Sequence, residues 1–236
     1  MLQMNAHEIV DGAAWTRARK VLLDKEKEFT RARDALSEAR RALPWERVEK
    51  SYVFDGPAGD ETLANLFQGR SQLVVYHFMF APDADAGCKA CSFWADNFER
   101  SVVHLAHRDV TMVAISRASL SKLEAYKKRL GWSFRWLSSG RTDFNFDYQV
   151  SFDPKDADTA VYNYAPKTFG LSELPGISVF YKDEAGAIFH TYSTFGRGLD
   201  MVNATYHFLD LVPKGRDENG QNMAWLRRND EYDVAR

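Results

Sequence analysis

Residues 83–94 read DADAGCKACSFW and hold Cys88 and Cys91, the only two cysteines among 236 residues. Cysteines placed at random would fall at this spacing in roughly one chain in a hundred, so accident explains the pair poorly. Two functional readings remain, a redox couple or half of a metal site. The stretch on either side decides between them. Before it, QLVVYHFMF (72–80) is a near-continuous apolar run, the mark of a central strand buried on both faces. After it, SFWADNFERSVVHLAH (92–107) contains no Gly or Pro and reads as one helix. The pair therefore sits where a strand ends and a helix begins, beyond a loop with Pro82 and Gly87. Unpaired N–H groups and the macrodipole at a helix start favour a thiolate over a thiol. Spacing i, i+3 places both sulfurs on one helical face, within reach of a redox-active disulfide.

The metal reading rests on His104-x-x-His107, which follows Cys91 by twelve residues and nearly matches a zinc finger. A finger needs a turn between its cysteines and its histidine helix, and none is expected here. Thirteen residues of uninterrupted helix would hold Cys91 and His104 about 20 Å apart. No metal is expected, and His104 and His107 read as cations favourable at a helix C-terminus.

Outward from this junction, strands and helices alternate. VEKSYVF (48–54) reads as a strand, DGPAGDE (55–61) as a turn and TLANLFQG (62–69) as a short helix stopped by Gly69. VTMVAIS (110–116), the helix SLSKLEAYKKRL (119–130) and the strand SFRWLSS (133–139) follow. GISVFYKDEAGAIFHTYST (176–194) reads as a hairpin turning at Glu184–Gly186, and LDMVNATYHFLDLV (199–212) as one helix. This order predicts an α/β fold with a central mixed sheet, one antiparallel edge and flanking helices. Residues 138–174 lack a regular period but hold Phe144, Phe146, Tyr148, Phe152, Tyr162, Tyr164 and Phe169, an aromatic-rich insertion expected to anchor on the core.

The expected organisation is an N-terminal helical extension (1–44), a main domain (45–212) and a polar C-terminal tail (213–236). In the extension Trp15, Leu22, Phe29, Leu36 and Leu43 recur every seven residues, with Ala18, Ala32 and Ala39 between them and Lys25 breaking the series. So narrow an apolar stripe suits docking on the domain or a homodimer through the helix.

Hydrophobic residues make up 45% and charged residues 27%, with a net charge of −2, which gives no general pull toward nucleic acid or membrane. The first residues, MLQMNAHEIVDGAAW, carry no basic segment leading into an apolar one. The longest apolar run is about half a membrane span. A cytoplasmic location is expected, where a cysteine pair more often serves redox chemistry or metal binding than structure.

The segments together resemble a known group. Strand, Cys-x-x-Cys at the next helix start, strand, helix and Pro–strand–hairpin–helix is the order of the thioredoxin fold. LPGISVF (174–180) is similar to the thioredoxin segment in which a cis-proline, here Pro175, opens the strand facing the dithiol. VYHFMF, GCKACSFWAD, SSGRTDFNFDY, FHTYSTFGRG, LVPKGRDENG and WLRRNDEYD resemble a bacterial thioredoxin-like family, domain-of-unknown-function family 899, whose members are labelled predicted dithiol-disulfide oxidoreductases. That family's pattern has a second Trp and a His where this chain has Leu226 and Asn229. The resemblance implies thiol–disulfide exchange on a protein or small-molecule disulfide, without a cofactor. Cys88 would attack, Cys91 would resolve, and Pro175 would line a groove beside Cys88 with backbone groups free for an extended substrate strand.

Departures from thioredoxin bear on tuning. Gly87-Cys88-Lys89-Ala90-Cys91 replaces the usual motif, and Trp94 follows the pair instead of preceding it. Thioredoxin's buried carboxylate has no obvious counterpart; His77 lies nearest that position, where it would be a buried neutral ring or a proton carrier. Asp83 and Asp85 would raise a nearby thiol pKa, against Lys89 and the helix end. Two rivals stand beside exchange. FDGPAGDETLANLFQGRSQLVVYHF (54–78) is similar to the opening of a peroxiredoxin, but Asp85 occupies the position of that family's Thr. In a non-catalytic binding or assembly module the heptad helix and aromatic insertion would form an interface.

Overall fold

The strand β4 (Gln72–His77) organises the sheet because its alternate residues enter different cores. Leu73 and Val75 are fully buried on one face, and Tyr76 with the following Phe78 on the other. The computed structural model describes residues 7–153, 155, 159–166, 170–218 and 220–232. It divides into two compact units, Met1–Pro44 and Trp45–Arg236.

The first unit is a single helix, α1 (Gly12–Arg41). The Asp11 carboxylate accepts from the Ala14 N–H at 2.7 Å and caps its start. None of its residues is buried, so the heptad stripe Trp15, Leu22, Phe29 and Leu36 stands exposed.

In the second unit the strands are β1 (Glu46–Arg47), β2 (Val53–Gly56), β3 (Gly59–Thr62), β4, β5 (Val110–Ser116), β6 (Arg135–Ser138), β9 (Gly176–Lys182) and β10 (Ile188–Phe195), in the sheet order β1-β10-β9-β4-β5-β6-β2-β3. A separate small hairpin pairs β7 (Val161–Tyr162) with β8 (Ala165–Pro166). β4, β5 and β6 run parallel, as helical crossovers require. Antiparallel strands lie on both sides, not on one edge as expected. Residues 55–61 are not a simple turn but the tip of the β2–β3 hairpin, which returns beside β6 through Asp55 and Ser138. Arg141 fastens it by ion pairs to Asp55 and Asp60, and Arg135 by one to Glu61.

One face of the sheet is covered by α3 (Lys89–Phe98), α5 (Leu120–Leu130) and α7 (Ala204–Leu209), through Phe93, Trp94, Phe98, Leu123, Tyr126 and Tyr206. The other is covered by α2 (Leu63–Leu66) and α6 (Phe144–Asp147). This is the expected thioredoxin-like arrangement, a curled mixed sheet flanked by helices, with a long N-terminal helix.

Two helices differ from expectation. The one after the cysteines stops at Phe98 and resumes as α4 (Val102–Ala106), because the Glu99 carboxylate turns aside to cap residues 133–134, accepting from the Ser133 N–H at 2.9 Å. The one expected over 199–212 becomes a 3₁₀ turn (Gly196–Val202) and then α7, restarted by Asn203, whose side chain accepts from the Tyr206 N–H at 3.0 Å. The insertion anchors as expected: Phe144 is fully buried among Tyr52, Phe54 and Tyr148. Phe169 lies outside the described residues. No described helix is long and apolar enough to cross a membrane.

The tail is not merely polar. Leu226 is 2% exposed within the core that surrounds Tyr76, Phe93 and Cys91, and Trp225 meets Phe93 edge-on at 5.7 Å. Leu226→Ala should therefore cost about 2–4 kcal/mol, read as a lower urea midpoint at unchanged slope, where a solvated tail would lose nothing.

Candidate active site

The chain past β4 is tied to the start of α3 by one residue. Cys88 N–H donates to the Met79 carbonyl at 3.1 Å, and Met79 N–H points at the Cys91 sulfur at 3.4 Å. Between them the loop is held by Lys122, whose ammonium donates to the carbonyls of Pro82 at 2.8 Å and Ala84 at 2.9 Å. Gly87 is required by space, since a Cβ there would stand 2.7 Å from the Phe78 ring.

Cys88 occupies the N-cap of α3, half-buried, and Cys91 lies one turn deeper at 1% exposure. Both are free thiols. Their surroundings push them apart. The hydrogen bond from the Cys91 thiol, the N–H groups of Cys91 and Ala90 and the nearby Arg228 outweigh burial and bring the Cys88 thiol down to about 6. Burial, followed by the neighbouring Cys88, pushes Cys91 well above the ordinary range. The Tyr76 hydroxyl lies beside the Cys91 sulfur and has no other hydrogen-bond partner among the described residues.

Two residues that the sequence reading passed over complete the charge pattern. Arg228, in the tail, donates to the Gly87 carbonyl at 2.9 Å, to the Tyr126 hydroxyl at 2.5 Å and to Glu231 at 2.8 Å. Tyr126 bonds in turn with Ser92, whose hydroxyl donates to the Cys88 carbonyl. Glu173, two residues before Pro175, is 5% exposed and keeps one carboxyl oxygen without a partner. Burial raises it to about 7, with Asp83 and Cys88 adding to the rise against Arg117 and the Phe80 N–H. An acid inside the otherwise small and apolar run SELPG was the available signal for Glu173. WLRRNDEYD carried Arg228, but nothing local in it points to a cysteine 140 residues earlier.

The remaining candidates scatter. Asp83, Asp85 and Lys89 are exposed, and none is among the principal groups setting Cys88. His77 is buried on the opposite face of the sheet, its Nε2 2.9 Å from Ser178 Oγ and its ring stacked on Phe144, with burial lowering its pKa to about 3. It is a neutral core histidine there, away from the thiols. Trp94 packs against Tyr206, and its indole N–H donates to the Leu199 carbonyl at 2.9 Å. No described peptide bond is cis, the one before Pro175 included. The Pro175 carbonyl is not free for a substrate strand, because it accepts from the Tyr162 hydroxyl at 2.7 Å. His104 lies on the separate α4, and no three His, Cys, Asp or Glu side chains converge as ligands among the described residues.

Two cavities of about 200 Å³ flank the pair. One, on the Cys91 side, is lined by Tyr76, Trp94, Pro175, Leu199, Tyr206 and Met223. The other, on the Cys88 side, is lined by Met79, Ala81, Ala84, Ala86, Leu171 and Glu173.

A strand-to-helix dithiol on a curled mixed sheet defines a thioredoxin-fold protein with a Cys-x-x-Cys pair. The match over residues 4–232 is to a bacterial protein family of unknown function, DUF899, and the chain belongs to that family. Solved structures similar to it include a cysteine-to-serine mutant of PrxQ from Xylella fastidiosa, 11% identical, TM-score 0.44, covering 66% of this chain and 88% of that one. The peroxidoxin BcpB of Mycobacterium tuberculosis is 14% identical, TM-score 0.45, covering 68% and 94%. A reduced 2-Cys peroxiredoxin of Plasmodium vivax is 15% identical, TM-score 0.41, covering 70% and 94%. Among curated proteins nothing matches the chain.

The acidity of Cys88 has a pH signature. Its folded value, about 6, lies below the ordinary 9.0, so the stabilisation it gives is full above pH 9, declines as pH falls and is gone below pH 6. The reduced protein should gain stability relative to Cys88→Ser between pH 6 and 9 in urea titrations. Arg228→Met should move the midpoint of Cys88 alkylation to higher pH, with Arg228→Lys between the two.

Proposed function

We propose that this protein is a thiol–disulfide oxidoreductase acting through Cys88 and Cys91. The observation that carries the reading is the divergence of the two thiols: an accessible, acidified Cys88 beside a buried, protonated Cys91. Exchange needs that asymmetry, because the attacking group must be a thiolate while the resolving group waits as a thiol.

In the proposed reaction the Cys88 thiolate attacks one sulfur of a substrate disulfide, forming the Cys88–substrate bond as the substrate S–S bond breaks. The departing sulfur takes the electron pair and a proton from Glu173, which holds both protonated and ionised forms near neutrality. Cys91 then gives its proton to a solvent base and attacks Cys88. A Cys88–Cys91 disulfide forms and the second substrate thiolate leaves. Two electrons pass from the dithiol to the substrate, and an external thiol reductant restores the pair.

Three variants test this. Cys91→Ser should stall as a stable mixed disulfide on Cys88, seen as a mass increase equal to one substrate half. Cys88→Ser should give no adduct at pH 7. Glu173→Gln should leave the alkylation of Cys88 near normal and slow disulfide closure by roughly 10²–10⁴-fold, removing a limb of the pH–rate profile centred near 7. Equal labelling of both cysteines, only at alkaline pH, would overturn the proposal.

A further inference from the structure

Resting on that reading, we infer that the substrate is a small-molecule disulfide with short uncharged substituents, and not an extended polypeptide. The argument starts with the strip of chain before β9. In a thioredoxin-like site this strip is where an extended substrate would lay its backbone, and here the aromatic insertion has already paired with it. Phe152 N–H donates to the Ser172 carbonyl at 2.8 Å, and Leu174 N–H donates to the Val150 carbonyl at 2.9 Å. Ser151 and Glu173 form an antiparallel bridge between these bonds. Pro175 has no N–H to offer, and its carbonyl is held by Tyr162, whose oxygen also accepts from the Gly196 N–H at 2.9 Å. The donor beside the proline and the acceptor on it are both used internally. A peptide strand would have to break these bonds before making its own, at no net gain in hydrogen bonding.

What remains open at Cys88 is a shallow depression facing solvent, not a sheet edge. At about 200 Å³ it falls below the roughly 300–1,000 Å³ of sites that take drug-sized ligands. Its wall is made by the short side chains of Ala81, Ala84 and Ala86 with Met79 and Leu171, so it accepts apolar substituents. Its polar groups are Ser172 and the buried Glu173, and no cationic side chain among the described residues lines it to pair with an anionic substituent. A disulfide with one small uncharged half in this cavity would bring a sulfur up to Cys88 and its leaving sulfur toward Glu173. The exchange step balances as written above, with the dithiol as the two-electron donor.

A single-turnover experiment on the reduced full-length chain tests this without an added reductant. Bis(2-hydroxyethyl) disulfide, oxidised glutathione and a disulfide-bridged extended peptide are each mixed with the protein, and Cys88–Cys91 closure is followed by quenching and mass tagging. The uncharged small disulfide should react faster than the peptide and faster than anionic oxidised glutathione, by about tenfold or more after correction for the intrinsic reactivity of each with a free thiol. Leu171→Trp, at an exposed position on the cavity wall, should slow the small disulfide while leaving the alkylation midpoint of Cys88 unmoved. Equal or faster reaction with the peptide would overturn the inference and leave the oxidoreductase reading standing. No closure with any of the three, in protein whose Cys88 still alkylates with an acid-shifted midpoint, would overturn both.

Discussion

Met79 fixes the two cysteines at different depths with its two backbone groups. Its carbonyl takes the Cys88 N–H and its N–H faces the Cys91 sulfur, so one peptide unit at the end of β4 fixes the start of α3 against the sheet. Cys88 is thereby left at the N-cap, where the N–H groups of Ala90 and Cys91 address its sulfur. Cys91 is driven one turn inward, where it is 1% exposed. The hydrogen bond between the thiols then acts in opposite senses on the two, stabilising the anion at Cys88 and the proton at Cys91.

The rest of the unit defends that placement. Lys122 pins the loop from the side of α5, and the ring of Phe78 leaves room only for glycine at 87. Arg228 reaches from the tail to the Gly87 carbonyl and to Tyr126, so its guanidinium serves both as a strut under the loop and as a cation near the thiolate. The buried Leu226, two residues earlier, is what carries that arginine to its place. Packing in the tail and acidity at Cys88 are thus one arrangement, although 140 residues separate them in the chain.

Those parts of the molecule encoded over short distances were legible in the sequence. The apolar run through Phe78, the Cys-x-x-Cys spacing and the hairpin turning near Gly186 each rest on local periodicity or turn chemistry. The failures share a cause as well. The break after Phe98 depends on what Glu99 finds at Ser133, and the β2–β3 hairpin on what Arg141 finds at Asp55 and Asp60. Charge counting close to the motif selected Asp83, Asp85 and Lys89, but exposed side chains in water carry little weight against a buried hydrogen bond. His77 lies nearest the position of thioredoxin's buried carboxylate, yet strand alternation turns it to the other face. Arg228 is set by tertiary contact and had no local pattern to betray it, and Glu173 had only its place as an acid in the apolar run SELPG.

Glu173 also explains why a buried acid is tolerated beside a thiolate. A carboxyl ionised at neutral pH would face the Cys88 thiolate as a second negative charge in a largely buried site. Kept near half-protonation by burial, it adds little repulsion while Cys88 is an anion and can ionise when that charge is consumed in a disulfide. In the proposed exchange the two groups titrate in opposition, one releasing negative charge as the other acquires it, so the net charge of the site changes little along the reaction. A glutamine would preserve the shape and lose this exchange of charge, which makes the carboxyl's proton, more than its volume, the reason for an acid at this position.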